Sequence, residues 1–184
     1  MTTTTFVALR DVLFGRGLIR GTRYMTADEQ LAIFFFGIGH GVANRVLVET
    51  FQHSGKTISR HFNNVLRGIV MLKDEYLTLS PNNVMVHPII RDNLNFYPFK
   101  NAIGAIDGTH IPIIVPRSEQ PRFQCRKRFT SQNMMAAVSF DHIFSFVCIG
   151  WEGSAVDMRV LRWACDKGGF TVPDGNCPKC SLIL

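Results

Sequence analysis

The sequence predicts an α+β protein in which a helical region, residues 1–95, precedes a strand-rich region, residues 96–184. Two patterns support this prediction. Apolar residues recur every three or four positions over 57–72, as on one face of a helix, whereas short and nearly unbroken apolar runs begin at Ala102 and are typical of strands. Between the two patterns, prolines punctuate the chain at Pro81, Pro88 and Pro98. We therefore expect a domain boundary near residue 95.

Length and charge set broad limits on the protein. The 184 residues suit one domain or two small ones, and 20 Lys and Arg against 14 Asp and Glu leave a net charge of +6. This excess favours an anionic partner, with nucleic acid as the first expectation and a basic but non-binding surface as the alternative. Five cysteines, an odd number, favour reduced thiols. We expect a nuclear protein, with the cytoplasm as the alternative, and no membrane span.

Helices account for most of the N-terminal region. A short amphipathic helix is predicted at Phe6–Phe14, and Thr26 with Glu29 has the capping-box spacing that begins a second, broadly apolar helix. A third helix is predicted over about 43–52 and a fourth over about 57–72. The third should bury three apolar side chains: Val46, Leu47 and Phe51.

The third and fourth helices, joined by a short turn with Gly55, have the outline of a helix-turn-helix. The fourth helix carries a polar outer face: Lys56, Ser59, Arg60, Asn63 and Arg67. Arg and Asn suit base edges, while Lys and Ser near a helix start suit phosphate. This face is therefore a candidate DNA-binding surface, and a solvated face of an ordinary helical hairpin is the alternative.

The strand-rich region begins with Ala102–Asp107, an apolar run expected to be buried on both faces and to end at Asp107. A carboxylate delivered to the end of a buried strand suits metal binding, but Asp107-Gly108 is also a strong turn dipeptide. Both interpretations stay open. Three further strands are expected: Ile111–Val115, Met134–Phe140 and Ile143–Trp151, the last two joined by a turn at Asp141-His142.

A final helix is predicted to run to about Lys167, where Gly168-Gly169 ends it. Ser154 and Asp157 have capping-box spacing at its start. After it, Cys177-Pro-Lys-Cys180 has the spacing of zinc ligands but lacks the second pair that a zinc site needs.

Three separated segments carry a resemblance to a known family. They read Ala-Ile-Asp-Gly-Thr-His-Ile-Pro at 105–112, Gln-Asn-Met-Met-Ala-Ala-Val-Ser-Phe-Asp at 132–141 and Gly-Trp-Glu-Gly-Ser-Ala-Val-Asp-Met-Arg-Val-Leu at 150–161. These segments resemble the transposase-derived nucleases of the PIF/Harbinger superfamily, and the plant members in particular. Residues 26–34 and 51–66 resemble the helical domain that precedes the nuclease in those plant proteins.

The resemblance implies an RNase H-like nuclease domain of the DDE type, which holds divalent cations, usually Mg²⁺ with Mn²⁺ as a substitute, between carboxylates. By this resemblance Asp107 matches the first catalytic acid and Asp157 matches another acidic position of the metal site. Asp157 is thus either a metal ligand or part of a helix cap. His110 either lies near the metal or is an ordinary strand residue, and we favour the strand residue.

The sequence departs from the family after Phe170. The strand with an Asp-Gly-Tyr type motif and the later Glu of the family do not follow, and Asp174 occupies the turn before that strand. We therefore expect an incomplete nuclease domain with weak metal binding and impaired cleavage. We also expect the edge of the Ala102–Asp107 strand to be exposed, which favours aggregation or a partner.

Two functions compete at this point. One is a divalent-metal-dependent DNA nuclease that uses Asp107 and Asp157, and the other is a catalytically inactive remnant that binds DNA or a partner through its helical domain. A third hypothesis is that residues 26–72 dock a Myb-like companion protein, as the resemblance implies.

Overall fold

The computed structural model describes residues 1–79, 86–100 and 102–171, and its contacts divide the chain into two units, Met1–Glu75 and Tyr76–Leu184. The features predicted at Pro81, Asp174 and Cys177–Cys180 lie outside the described residues. The domain limits near residue 95 stay a prediction, because contacts do not show which part folds alone. Among the described helices, none combines the length and the apolar composition that crossing a membrane requires.

The first unit is helical, as predicted. Its four main helices are α1 at Thr3–Gly15, α2 at Ala27–His40, α3 at Asn44–Phe51 and α4 at Gly55–Met71, and the short α5 at Lys73–Tyr76 follows. The cap predicted at α2 is confirmed, since the Thr26 side chain accepts a hydrogen bond from the backbone N–H of Glu29. The structure does not test whether these helices act as a helix-turn-helix.

Two apolar clusters hold the helical unit together. Leu13, Leu31 and Val65 are fully buried in the first, and Ile33 and Ile58 are fully buried in the second. Helices α2 and α4 contribute to both clusters, so their packing forms the centre of the unit. One predicted core residue is wrong, because the Val46 side chain is 39% exposed. Val46 comes one position before the buried Leu47. Consecutive residues point in different directions around a helix, so Val46 lies off the buried face of α3.

The second unit begins with the short helix α6 at Pro88–Arg91 and a 3-10 helix at Leu94–Phe99. Three strands follow, β1 at Gly104–Pro112, β2 at Ser131–Ser139 and β3 at Phe144–Glu152. They form one antiparallel sheet in the order β1-β2-β3. The short helix α7 at Gln120–Phe123 lies between β1 and β2, and α8 at Asp157–Asp166 follows β3. This confirms the α+β class, while an RNase H-like architecture stays a prediction.

The strand prediction around Asp107 is wrong in one respect. Ala102–Asp107 and Ile111–Val115 are not two strands separated by a turn, because β1 runs without a break from Gly104 to Pro112. Every residue of β1 has a partner on β2, and Asp107 lies opposite Ala136. Asp107 therefore occupies the middle of a strand rather than its end. The hairpin predicted between the next two strands is confirmed, and His142 takes a left-handed φ of 62° in its turn.

The two faces of β1 differ in burial, contrary to the expectation of a strand buried on both faces. Ile106 is 6% exposed, whereas its neighbours Ala105 and Asp107 are exposed. Because side chains alternate along a strand, Ile106, Gly108 and His110 share one face and Asp107 lies on the other. We call these the covered face and the open face.

Helix α8 packs on the covered face. Its Val160 and Ala164 are fully buried, and Val160 clusters with Ile106 and Met135 from the sheet. The helix forms where predicted, but its predicted capping box is wrong. The residue before its first turn is Val156, which makes no capping bond, and Asp157 is the first helical residue. Asp157 still lies where a negative charge favours the partial positive charge of the helix N-terminus.

Candidate functional site

Asp107 presents its carboxylate on the open face of the sheet. The residue is exposed, and the only hydrogen bond that its side chain makes within the described part of the chain comes from the backbone N–H of Gly108 to Oδ1, at 2.7 Å. Three consecutive β2 residues, Met135, Ala136 and Ala137, pair with β1 around it and fix its backbone. The carboxylate is thus held on a rigid strand while its oxygens remain open to a ligand.

Asp157 lies on the covered face. A Cβ atom added to Gly108 would lie 2.5 Å from Oδ1 of Asp157, so this carboxylate sits directly over Gly108. The same oxygen accepts a 2.8 Å hydrogen bond from Nδ2 of Asn133, a fully buried side chain that also donates to the carbonyl oxygen of Ala155. The glycine of the Asp-Gly pair is explained by this close approach rather than by a turn.

The structure does not bring the two predicted acids together, since they lie on opposite faces of β1. Carboxylate oxygens are the donors that Mg²⁺ and Mn²⁺ prefer, and Asp107 offers them without a competing side chain. Oδ1 of Asp157 already accepts the hydrogen bond from Asn133. Within residues 1–79, 86–100 and 102–171, no three His, Cys, Asp or Glu side chains lie close enough to hold a metal ion. The catalytic and metal-binding roles of Asp107 and Asp157 stay predictions.

His110 belongs to a polar cluster on the covered face. Its Nδ1 lies 3.0 Å from Oγ of the fully buried Ser131, which begins β2. The strand position favoured for His110 is confirmed, since it lies in β1. A cavity of about 500 Å³ opens here, and His110, Cys125 and Asp157 are among the residues that line it.

Cys125 is buried at the base of a tight turn beside this cavity. Burial by itself raises the pKa of its thiol, but hydrogen bonds from the backbone N–H groups of Phe129 and Lys127 and from the Ser131 hydroxyl outweigh burial and lower that pKa. This environment has no signal in the sequence, because it joins residues of the loop to the start of β2.

The five residues predicted to contact DNA all lie on the exposed side of α4: Lys56, Ser59, Arg60, Asn63 and Arg67. Opposite them, Ile58, His61 and Val65 face the core. Among the described residues, no carboxylate pairs with Lys56 or with the two arginines. The Asn63 side chain donates back to the carbonyl oxygen of Ser59 at 2.7 Å. The face is accessible and cationic, and its role in DNA binding stays a prediction.

His61 is a buried titratable group that the sequence analysis missed. It is 4% exposed, and its Nδ1 has no hydrogen-bond partner in the described residues. Its Nε2 lies 3.5 Å from a guanidinium nitrogen of Arg60. The spacing was informative, because His61 falls three residues after Ile58 and four before Val65, on the same helix face.

We expect the helical unit to lose stability as the pH falls below about 6.5. Burial lowers the pKa of His61 from 6.5, the positive charges of Arg60 and His53 lower it further, and Glu29 opposes them. The unfolded chain then binds the proton more readily than the folded chain, so stability decreases as the pH falls from 6.5 towards the folded pKa. Thermal unfolding followed by far-ultraviolet circular dichroism checks this.

The His61→Gln variant should show a weaker pH dependence, because its side chain stays neutral. His40→Gln is the matched control, since His40 is exposed at the end of α2. An unchanged pH dependence in His61→Gln would contradict the role assigned to this residue.

Comparison with known families relates each unit to a different one. Residues 1–71, which comprise α1 to α4, match a family described as Domain of unknown function (DUF8040). Residues 106–164 match the family described as DDE superfamily endonuclease. Comparison with curated proteins and with solved structures gave no match.

The second match begins within β1, just before Asp107, and ends within α8. It therefore includes the whole sheet from Asp107 onward and both predicted acids. On this evidence, residues 106–164 are related to the transposase-derived nuclease superfamily.

Proposed function

We propose that this chain acts on DNA as a divalent-metal-dependent nuclease of transposase origin, of the PIF/Harbinger type found in plants. The observation that carries the proposal is the match of residues 106–164 to DDE superfamily endonucleases together with the accessible carboxylate of Asp107 at the centre of β1. A bound divalent cation would activate water or a hydroxyl for attack on the phosphodiester bond.

Asp107 is the residue we propose to hold the cation. Its backbone is fixed by pairing with β2, and its carboxylate projects from the open face, which leaves room for a phosphodiester backbone. Asp157 contributes in a different way: its charge lies on the covered face at the start of α8, where its Oδ1 accepts a hydrogen bond from Asn133. We further propose a nuclear location, where the DNA substrate is.

A nicking assay on supercoiled plasmid with Mg²⁺ or Mn²⁺ tests the proposal. We expect a metal-dependent nick that Asp107→Asn reduces by at least about a hundredfold, because one metal ligand stabilises the transition state by several kcal/mol. Asp166→Asn is the matched control, since Asp166 is an exposed acid at the far end of α8 and should retain the activity. The same assay measures how far the activity is impaired.

Equal nicking by the Asp107→Asn variant and the unmodified chain, or nicking that persists with excess chelator, would overturn the nuclease proposal. It would not bear on DNA binding, which anisotropy of a labelled duplex measures separately.

A second candidate function is DNA binding through α4 without catalysis. It is favoured by the exposed cations on that helix, above all Arg60 and Arg67, which pair with no carboxylate of the described residues. Replacing both by alanine should weaken binding and reduce the slope of log K against log salt by roughly 2, because each phosphate contact contributes about 0.9. If the helical unit instead docks a Myb-like companion, the unmodified chain should show no salt-dependent DNA affinity through this face.

A further inference from the structure

The loop between β1 and β2 contains a second concentration of positive charge. Three consecutive cations, Arg126, Lys127 and Arg128, lie at the tip of a turn that spans Gln124–Thr130. All three are exposed, and no carboxylate of the described residues pairs with them. We call Arg126, Lys127 and Arg128 the basic turn.

The basic turn is held in shape by its own backbone. Gln124 and Thr130 form an antiparallel bridge, the N–H of Cys125 donates to the carbonyl oxygen of Phe129 at 3.0 Å, and the N–H of Arg128 donates to that of Cys125 at 2.9 Å. The buried Cys125 anchors the turn, being 4% exposed. The charged side chains are thus presented by a closed turn rather than by a loose loop.

Two features indicate that this arrangement is not optimised for stability. Arg128 takes a left-handed φ of 63°, a backbone conformation that is unfavourable for a non-glycine residue. Neighbouring cations at the tip also repel one another, and salt screens this repulsion. A bound polyanion would relieve this repulsion.

Arginine residues line two spaces beside the turn, the larger of which Asp157 also lines. Arg126 and Arg128 line the cavity of about 500 Å³. Arg128 also lines a second cavity of about 260 Å³ together with Arg117 and the polar Gln124 and Thr130. A guanidinium group forms paired hydrogen bonds with two phosphate oxygens. These arginines therefore suit the phosphates of a nucleic-acid backbone as ligands.

We propose that the basic turn binds the phosphate backbone of nucleic acid, as a contact surface additional to α4. The proposal rests on the proposed function, because the DDE superfamily match makes DNA the expected polyanion. The turn leads into Ser131, which pairs with Pro112 at the end of β1, about 17 Å along the strand from Asp107.

Binding of a labelled duplex of about 30 base pairs, measured by anisotropy between roughly 50 and 200 mM salt, tests this proposal on the full chain. The variant Arg126→Gln/Lys127→Gln/Arg128→Asn removes three charges, and Asn tolerates the left-handed φ at position 128. We expect binding about 100-fold weaker near 0.1 M salt and a salt slope reduced by roughly 2 to 3.

Two further variants separate the site from its total charge. Arg45→Gln/Lys73→Gln/Arg91→Gln removes the same number of charges from cations that already lie beside acids, and should bind within about threefold of the unmodified chain. Arg126→Lys/Arg128→Lys keeps the charge but loses the paired guanidinium hydrogen bonds, so its affinity should lie between those of the unmodified chain and the charge-removing variant. Tryptophan fluorescence verifies folding, because both tryptophans, Trp151 and Trp163, lie in the second unit.

Unchanged binding by the charge-removing turn variant overturns the proposal, and so does an equal loss in the matched control. If that variant does not fold, the single variant Arg126→Gln provides the test. Its DNA affinity should fall about tenfold, and an unchanged affinity would overturn the proposal. Labelled polyglutamate binding as tightly as DNA would also overturn it in favour of an acidic protein partner. If nicking depends on Asp107 but the turn variant binds DNA normally, the proposal for the basic turn fails and the proposed nuclease function stands. If the unmodified chain does not bind DNA, both proposals fail.

Discussion

Replacing Gly153 with valine should unfold the second unit, with a loss of more than about 3 kcal/mol in the free energy of unfolding. Gly153 is buried between β3 and α8, where an added Cβ atom would lie 2.5 Å from both the carbonyl oxygen and Oγ of Ser131. It would also overlap the carbonyl oxygen of Phe123. Two of these three atoms belong to the backbone, so a side-chain rotation cannot make room.

Gly150→Ala is the matched control for this prediction. Gly150 has a positive φ of 94°, but no atom lies within 4 Å of its added Cβ, so only backbone strain of roughly 1 to 2 kcal/mol is expected. Denaturant unfolding followed by tryptophan fluorescence compares the two variants in the same unit. If Gly153→Val unfolds within about 1 kcal/mol of the unmodified chain, the close approach to Ser131 and Phe123 is contradicted.

The Asp157→Ala variant should lower the thermal midpoint of the second unit by roughly 10 °C even when a chelator removes all divalent cations. Its carboxylate accepts a hydrogen bond from the buried Asn133 and lies in the first turn of α8. A hydrogen bond to a charged group contributes about 1.5–3 kcal/mol, and the charge at the helix start adds a few tenths to 1 kcal/mol. A residue whose only role is to bind metal would leave the metal-free midpoint unchanged.

Two further variants test whether Asp157 stabilises the second unit through its hydrogen bond with Asn133. Asp157→Asn keeps an acceptor oxygen and should lose less stability than Asp157→Ala. A double-mutant cycle with Asn133→Ala should give a coupling energy above about 0.5 kcal/mol, because the two side chains are in direct contact. Additive effects would show that Asp157 stabilises the unit without Asn133.

Local pattern was sufficient for the helices. The seven-residue spacing of Ile58 and Val65, two turns apart, marks the buried face of α4, and Thr26 with Glu29 marks the start of α2. Val46 shows where local pattern fails: it is an apolar residue next to the buried Leu47, but helix geometry turns it outward.

The candidate site was less predictable, because it depends on pairing between distant segments. Asp107-Gly108 has the composition of a turn, yet pairing with Ala136 and Met135 keeps it within a strand. The buried polar groups Asn133 and Ser131 were also missed. Each is buried by neighbours from elsewhere in the chain, and a single sequence does not show which polar residue will be covered.

The sequence by itself determined the α+β class, the positions of α2, α4 and α8, the cationic character of the chain and the presence of Asp107 and Asp157 in segments that resemble DDE nucleases. These follow from periodicity, capping and composition, which act over a few neighbouring residues. Only the tertiary structure decided that Asp107 and Asp157 lie on opposite faces of β1, since that depends on strand register and on where α8 packs. Alternation of side chains along the strand then separates the two carboxylates.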